Sequence, residues 1–259
     1  MTFWGGRAPV CWGRASQGAI ISQCKNIRPR LGARVAAGVA TLAAAGAAAA
    51  HNIGGSDAAF VAATNGADPF PFIYLGAKHM VTGYDHLLFL VGVIFFLFRL
   101  REVALYVSQF SLGHSLTLLA GVFFKLRVDA YLVDAVIGLS VAYKAFDNLG
   151  GFATLFGREP NPRAATFVFG LIHGFGLATK LQALDLKPNG LLANLVSFNV
   201  GVEVGQVMAL SLILAGMTLW RRTRWFERTA VVANVLLVTA GFVFAGQQLT
   251  GLFLGGSIA

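Results

Sequence analysis

The sequence LGAKHMVTGYDHLLFL, residues 75–90, sets His79, Asp85 and His86 in an apolar background. It belongs to an apolar stretch over residues 71–98. A helix needs about 20 such residues to cross a bilayer. Ionisable side chains at membrane depth are costly, and those that occur there are candidates for function. The stretch therefore predicts a transmembrane helix that carries part of a functional site.

More apolar stretches of spanning length follow the first one. In the chain of 259 residues, 56% belong to the apolar set and only 12% are charged, whereas about 25% of the residues in a soluble domain are charged. We therefore predict an all-α fold, a polytopic membrane bundle of six transmembrane helices over residues 71–259. After the first span, the others are predicted near 102–124, 130–156, 164–182, 190–220 and 230–253.

The N-terminal segment has the organisation of a secretory signal. Residues 1–34 contain basic residues and no acid, and an apolar run rich in Ala and Gly follows over residues 35–50. We expect residues 1–50 to be a leader that is cleaved after Ala50. An uncleaved first transmembrane helix is the alternative, but this run is short and only weakly apolar. Residues 51–70 are predicted to be an irregular periplasmic segment.

The loop charges agree with that orientation in a bacterial inner membrane. A cleaved leader leaves both mature termini in the periplasm and the loops after the first, third and fifth spans in the cytoplasm. Basic residues are more frequent in these loops, as the positive-inside rule requires. The formal charge of +9 thus comes from the leader and the loops, and nucleic acid is not an expected partner. The predicted cytoplasmic loops hold Arg99, Arg101, Arg158, Arg163, Arg221, Arg222, Arg224 and Arg228, against Lys125, Arg127, Lys180 and Lys187 in the other two.

Polar side chains with metal-ligating chemistry recur inside the predicted spans. Several lie near the middle of their spans, and helices that pack together bring such residues to one level, where permeases place ion sites. The only cysteines, Cys11 and Cys24, precede the first span, so a thiolate site is excluded there. Imidazole and carboxylate ligands suit Ni²⁺, Co²⁺, Zn²⁺ or Cu²⁺. The predicted metal ligands are His79, Asp85, His86, His114, His173, Asn199 and Glu203.

The spacing within the first span leaves two arrangements open. A regular helix holds His79 and His86 about 10 Å apart along its axis, too far for one ion to bridge. Either they are successive stations on a path, or the helix opens at Gly83 and brings the two rings together. Asp85 either ligates the ion or orients an imidazole, and a purely structural hydrogen bond between Asp85 and His86 is the alternative.

The histidines of the second and fourth spans also have two readings each. His114 lies among Ser111, Ser115 and Thr117, and it either ligates an ion or joins helices by hydrogen bonds. His173 lies in the glycine-rich sequence FGLIHGFGLA, which favours a ligand or a gate in a narrow passage.

Carboxylates and amides occur in the remaining spans. Glu203 lies between Gly201 and Gly205, a spacing typical of close helix packing, and a carboxylate in that seam must be paired, protonated or metal-bound. Lys144, Asp147 and Asn148 are spaced for one helical face, and we predict a structural ion pair of Lys144 with Asp147 near the cytoplasmic side, with lining of the exit as the alternative.

The motif of the first span, His79 followed after five residues by Asp85 and His86, resembles the signature of the HupE/UreJ family. Its members are hydrogenase and urease accessory proteins regarded as nickel permeases. The leader and six-span plan are similar as well, so the resemblance covers the whole mature chain. It implies nickel as the ion and a metalloenzyme maturation system as a partner. The family's second signature has two His-Gly pairs and a nearby Glu, whereas here only His173 is present, and Glu203 is expected to take the acidic role.

These observations lead to a permease for a divalent transition-metal ion, nickel favoured, with the lipid bilayer as its surroundings. A membrane assembly factor that delivers metal to a metalloenzyme without translocation is the alternative. An intramembrane metalloenzyme is disfavoured, because the chain has no His-Glu-x-x-His motif. We therefore predict that the protein is not an enzyme.

Overall fold

The structure is a computed structural model, and it describes residues 56–183 and 187–255. The predicted leader and its cleavage after Ala50 lie outside the described residues. Every regular element within them is a helix. In chain order they are α1 Ser56–Ala63, α2 Pro69–Thr82, α3 Tyr84–Ile94, α4 Leu100–Phe123, α5 Ala130–Asn148, α6 Gly151–Phe156, α7 Pro162–Gln182, α8 Leu191–Arg221 and α9 Phe226–Gly255.

Four helices of the described chain, α4, α7, α8 and α9, are each long and apolar enough to cross a membrane. Their outward faces carry large apolar side chains, and the exposed fraction is 60% for Leu112, 76% for Leu212 and 59% for Phe242. A soluble monomer rarely exposes so much contiguous apolar surface. The helical content and this surface agree with the membrane bundle that the sequence predicts.

The first predicted span is not one continuous helix. It is divided into α2 and α3 at Gly83, whose φ of −74° and ψ of 97° are extended. A Cβ atom on Gly83 would lie only 2.8 Å from Nδ1 of His86, so this position has room for glycine alone. Of the two arrangements that the spacing left open, the structure has the one in which the helix opens at Gly83.

The third predicted span, over residues 130–156, is also interrupted. Helix α5 ends at Asn148, and Gly150 has a φ of 71° in the left-handed region. A glycine in this conformation is a common helix terminator, because it has no Cβ to clash. The short α6 therefore forms a separate turn beyond α5.

The helices associate in closely packed pairs, α2 with α8, α4 with α7, and α5 with α9. Glycines line each seam. A Cβ added to Gly205 would lie 2.6 Å from the carbonyl oxygen of Ala77, and one on Gly121 would lie 2.6 Å from Cβ of Ala178. Small residues let helix backbones approach in this way, which is how helices associate in lipid. The small-residue spacing around Glu203 does mark a real seam.

Successive long helices run in opposite directions, so two helices that are an even number of crossings apart are parallel. Helices α2 and α8 are parallel, since Ile73 meets Gly201 and Ala77 meets Gly205. Helices α4 and α7 are parallel as well, whereas α5 and α9 are antiparallel. Helix α4 opposes α3, because His86 faces His114 while Phe89 faces Phe110. Such alternation is what successive crossings of a bilayer require.

Two ion pairs fix α5. Lys144 Nζ donates to Asp147 Oδ2 at 2.6 Å and to Asn148 Oδ1 at 3.0 Å, which confirms the predicted pair. The second was not predicted: Asp134 is only 6% exposed and accepts from Lys180 of α7 at 2.8 Å. A charge buried at this depth needs a partner, and Lys180 supplies it.

The α4–α7 seam generates a test of the packing. In Gly170→Ala the new Cβ would collide with the carbonyl of Phe110, and we expect a loss of about 1–3 kcal/mol, typical of overpacking. The measurement is thermal unfolding of the full chain in detergent. Gly216→Ala is the matched control, because a Cβ there meets nothing within 4 Å. Equal melting temperatures for the two variants would contradict the seam.

Candidate functional site

The histidine side chains of four helices come together inside the bundle. The ring centroid of His86 lies 5.2 Å from that of His79, 6.0 Å from His114 and 5.1 Å from His173. These residues belong to α3, α2, α4 and α7 in turn. His86, His114 and His173 are at most 2% exposed. The structure thus brings together all four predicted histidines, with His86 at the centre. The name histidine cluster is used below for these four side chains.

The break at Gly83 produces this arrangement locally. It lets α3 start in a new direction, so that His86 turns back toward His79. Asp85, in the first turn of α3, places Oδ1 3.0 Å from Nδ1 of His86, and both side chains are 2% exposed. A carboxylate oxygen accepts here, so Nδ1 of His86 carries the proton. This is the arrangement in which a carboxylate orients a histidine for ligation through Nε2.

The other two buried imidazoles have different surroundings. Nδ1 of His173 lies 2.7 Å from the carbonyl oxygen of Phe169. A carbonyl only accepts, so Nδ1 donates and Nε2 has the lone pair. His114 has no hydrogen-bond partner at either ring nitrogen among the residues that the structure describes. Buried polar atoms without partners are rare in proteins, and a functional ligand is one reason to retain such an atom.

Phenyl rings form much of the wall around the cluster. Phe110 lies 6.2 Å from His114 and 5.0 Å from His173, and Phe89 lies 5.4 Å from His173. Phe198 of α8 lies 6.0 Å from His79. An apolar shell of this kind lowers the local dielectric, and it strengthens every electrostatic interaction inside it.

The structure does not bring Glu203 into the cluster. Gly201 and Gly205 face α2, and the Glu203 side chain is exposed on the outer surface of α8. The expectation that Glu203 is a buried acid of the site is therefore wrong, because a residue two positions from each seam glycine points away from the seam. Asn199 is half-buried about one turn nearer the start of α8.

Gln206 and Ser111 make a polar contact that the sequence did not predict. Ser111 of α4 donates to Oε1 of Gln206 at 2.6 Å, and Gln206 is only 1% exposed. Gln206 lies one turn beyond the exposed Glu203 on α8, and it faces inward. The sequence did contain an indication of this contact. Gln206 lies seven residues after Asn199, and residues with this spacing share one face of a helix.

The cluster does not yet have the geometry of a bound metal. In the described ranges, no three His, Cys, Asp or Glu side chains are arranged to hold a metal ion as they stand. The spacing is nevertheless suitable, because two imidazoles on one ion at about 2.1 Å per nitrogen have ring centres roughly 5 Å apart. The rings must rotate, but the helices need not move far. The residues that can hold an ion are therefore the histidine cluster and Asp85.

The fold and the cluster define the class of this protein: an all-helical membrane protein with buried imidazoles at a broken helix. The particular family follows from comparison with known families. The family model described as HupE / UreJ protein matches residues 55–254, and the chain belongs to that family. The match covers every helix that packs around the cluster. No curated protein matches the chain, and no solved structure does.

The unpartnered ring of His114 generates a test. Burying a polar group without a partner costs about 1–3 kcal/mol, so His114→Leu is expected to raise the melting temperature of the metal-free protein in detergent. Residues kept for function at the expense of stability behave in this way. Leu118→Ala, on the same helix and fully buried, is the control and should lower it. A lower melting temperature for His114→Leu would show that the imidazole is a structural link between helices.

Proposed function

We propose that this protein binds a divalent transition-metal ion, with nickel favoured, and carries it across the bacterial inner membrane as a permease. The observation that carries the proposal is the meeting of four imidazoles from four helices. Membership of the HupE/UreJ family supports it, since that family is related to the handling of nickel or cobalt. The proposed ligands are the histidine cluster with Asp85.

The chemistry of these ligands suits a borderline divalent ion. Imidazole nitrogens favour Ni²⁺, Co²⁺, Zn²⁺ and Cu²⁺ over the hard ions Mg²⁺ and Ca²⁺. Asp85 supplies a negative charge that offsets part of the charge of the ion in a low-dielectric interior. Because only a neutral imidazole can ligate a metal ion, metal and protons compete for the cluster. Such competition allows an ion to leave as well as to bind.

The broken helix supports a site for transport rather than for storage. Transporters commonly bind their ions where a membrane helix is interrupted near the middle of the bilayer. Here Gly83 interrupts the helix beside His79 and His86. A site for storage has no need of this interruption.

The proposed topology has six crossings, with the half-helices α2 and α3 together forming the first one. The alternating directions of the long helices support this arrangement, and so does the excess of arginine in the loops assigned to the cytoplasm. Helix α5 contains three charged residues, Asp134, Lys144 and Asp147, and all three are paired. Both mature termini are placed in the periplasm.

Binding of Ni²⁺ to the purified full-length protein tests the site. We expect saturable binding that His86→Ala weakens by about 100-fold, the upper range for changes around a metal ion. Glu203→Gln is the matched control, since it removes an acid from the same bundle without touching the cluster. Unchanged affinity in His86→Ala would refute the assignment, and a loss in Glu203→Gln would return that acid to the site.

Uptake separates the permease from an assembly factor that delivers metal without translocation. The purified protein is placed in liposomes, and entry of radioactive Ni²⁺ is followed with time. We expect entry that His86→Ala abolishes and Glu203→Gln does not change. Binding in detergent without entry into liposomes would contradict the permease and favour the assembly factor.

A further inference from the structure

One face of α3 connects the histidine cluster to a second feature of the bundle. His86, Phe89 and Val93 lie three and four residues apart on this face, and about 10 Å of helix separates the first from the last. His86 belongs to the cluster and Val93 lines a cavity. Phe89 lies between them. Along this face of α3, the phenyl ring of Phe89 therefore separates the histidine cluster from the cavity.

Three phenyl rings from three helices meet at the middle position. The centroid of Phe89 lies 5.3 Å from that of Phe110 and 5.6 Å from that of Phe169. Phe89 and Phe110 are each 1% exposed. Both also contact the ring of His173. These three residues are called the phenyl layer below, and they close the bundle directly under the cluster.

The cavity beyond the phenyl layer has a volume of about 180 Å³. Its lining is polar on the side of α5, where Lys144, Asp147 and Asn148 contribute, and Tyr106 of α4 faces them. Glu159 lies at its rim, in the segment before α7. A polar cavity of this size holds several waters. It is called the polar cavity below.

Hydrogen bonds hold the wall of the polar cavity in place. Nδ2 of Asn148 donates to the carbonyl oxygen of Gly92 at 2.8 Å and to Oδ1 of Asn234 at 3.0 Å. Lys144 is engaged with Asp147 and Asn148. The Asn148 amide thus joins α5 to α3 and α9 next to Val93. Residues of α3, α4 and α5 therefore line the cavity together with residues of the adjoining turns.

The polar cavity lies at the end of the bundle that the loop charges assign to the cytoplasm. Its lining includes Leu97, in the turn after α3, and Pro162 at the start of α7. These residues adjoin the segments that hold Arg99, Arg101, Arg158 and Arg163. The cluster and the cavity are therefore arranged in series along one route through the bundle.

We propose that the polar cavity is the cytoplasmic vestibule of the ion path and that the phenyl layer is its gate. This inference rests on the proposed function, and it adds the residues that limit the flow. A divalent cation cannot enter three packed phenyl rings without losing its water, and an apolar constriction that excludes water is a known form of gate. The vestibule rehydrates the ion once the rings have separated.

Phe89→Ala tests the gate. Removal of the ring is expected to raise the maximal rate of Ni²⁺ entry into liposomes, measured at saturating Ni²⁺, about tenfold, equivalent to about 1.4 kcal/mol in the barrier. Phe95→Ala is the matched control, because Phe95 is also 1% exposed on the same segment but packs on Phe96, Trp220 and Phe226. Its entry rate should equal that of the unaltered protein.

The two measurements separate this inference from the proposed function. Normal binding with an unchanged entry rate in Phe89→Ala would overturn the gate alone, whereas failure of the unaltered protein to bind Ni²⁺ would overturn the site. An equal increase in Phe95→Ala would also overturn the gate, since any loosening of the bundle would then be sufficient.

A labelling experiment does not depend on removing a ring. Val93→Cys is made with Cys11 and Cys24 replaced by serine, and membrane vesicles of either orientation are treated with a charged thiol reagent. We expect reaction only from the face that carries the Arg99 and Arg101 loop. Reaction from both faces, from the opposite face, or from neither would overturn the vestibule and its gate.

Discussion

The interruption of a membrane helix at Gly83 determines the rest of the site. In a continuous helix His79 and His86 are separated by about 10 Å along the axis, whereas in this structure their ring centroids are 5.2 Å apart. This close approach of the two rings depends on the absence of a Cβ at Gly83, because that atom would lie 2.8 Å from Nδ1 of His86. His86 can therefore occupy the centre of the cluster, within reach of three other helices.

Close packing at the glycine seams offsets the cost of burying the polar groups at the centre of the bundle. Buried imidazoles and a carboxylate oppose folding, because each loses its hydration. Close contact between helix backbones at Gly121, Gly170 and Gly205 supplies packing around them. The Asp134–Lys180 pair joins α5 to α7, whereas the Lys144–Asp147 pair lies within α5. The closely packed helix pairs thus surround the histidine cluster.

Much of the site follows from the sequence, because costly residues in lipid are easily recognised. His79, Asp85, His86, His114 and His173 were predicted from their presence in apolar stretches, and the structure brings all of them together. The face of a helix on which a side chain lies is harder to predict than its position along the span, and this is why Glu203 was misplaced: its side chain is turned outward. Gln206 is the opposite case, because its side chain faces inward although its contact was not predicted. An uncharged amide in an apolar stretch is a weaker indication of a buried polar site than a charged residue is. The termination of α5 at Asn148 depends on the left-handed Gly150, which apolar content does not reveal.

The central claim is that imidazoles from separate helices bind one metal ion, and X-ray absorption at the nickel edge tests it most directly. The purified full-length protein is loaded with one equivalent of Ni²⁺, and the spectrum is recorded in detergent. The account predicts the scattering pattern of several imidazole rings around each nickel ion. A spectrum that contains only oxygen ligands, without imidazole scattering, would contradict it.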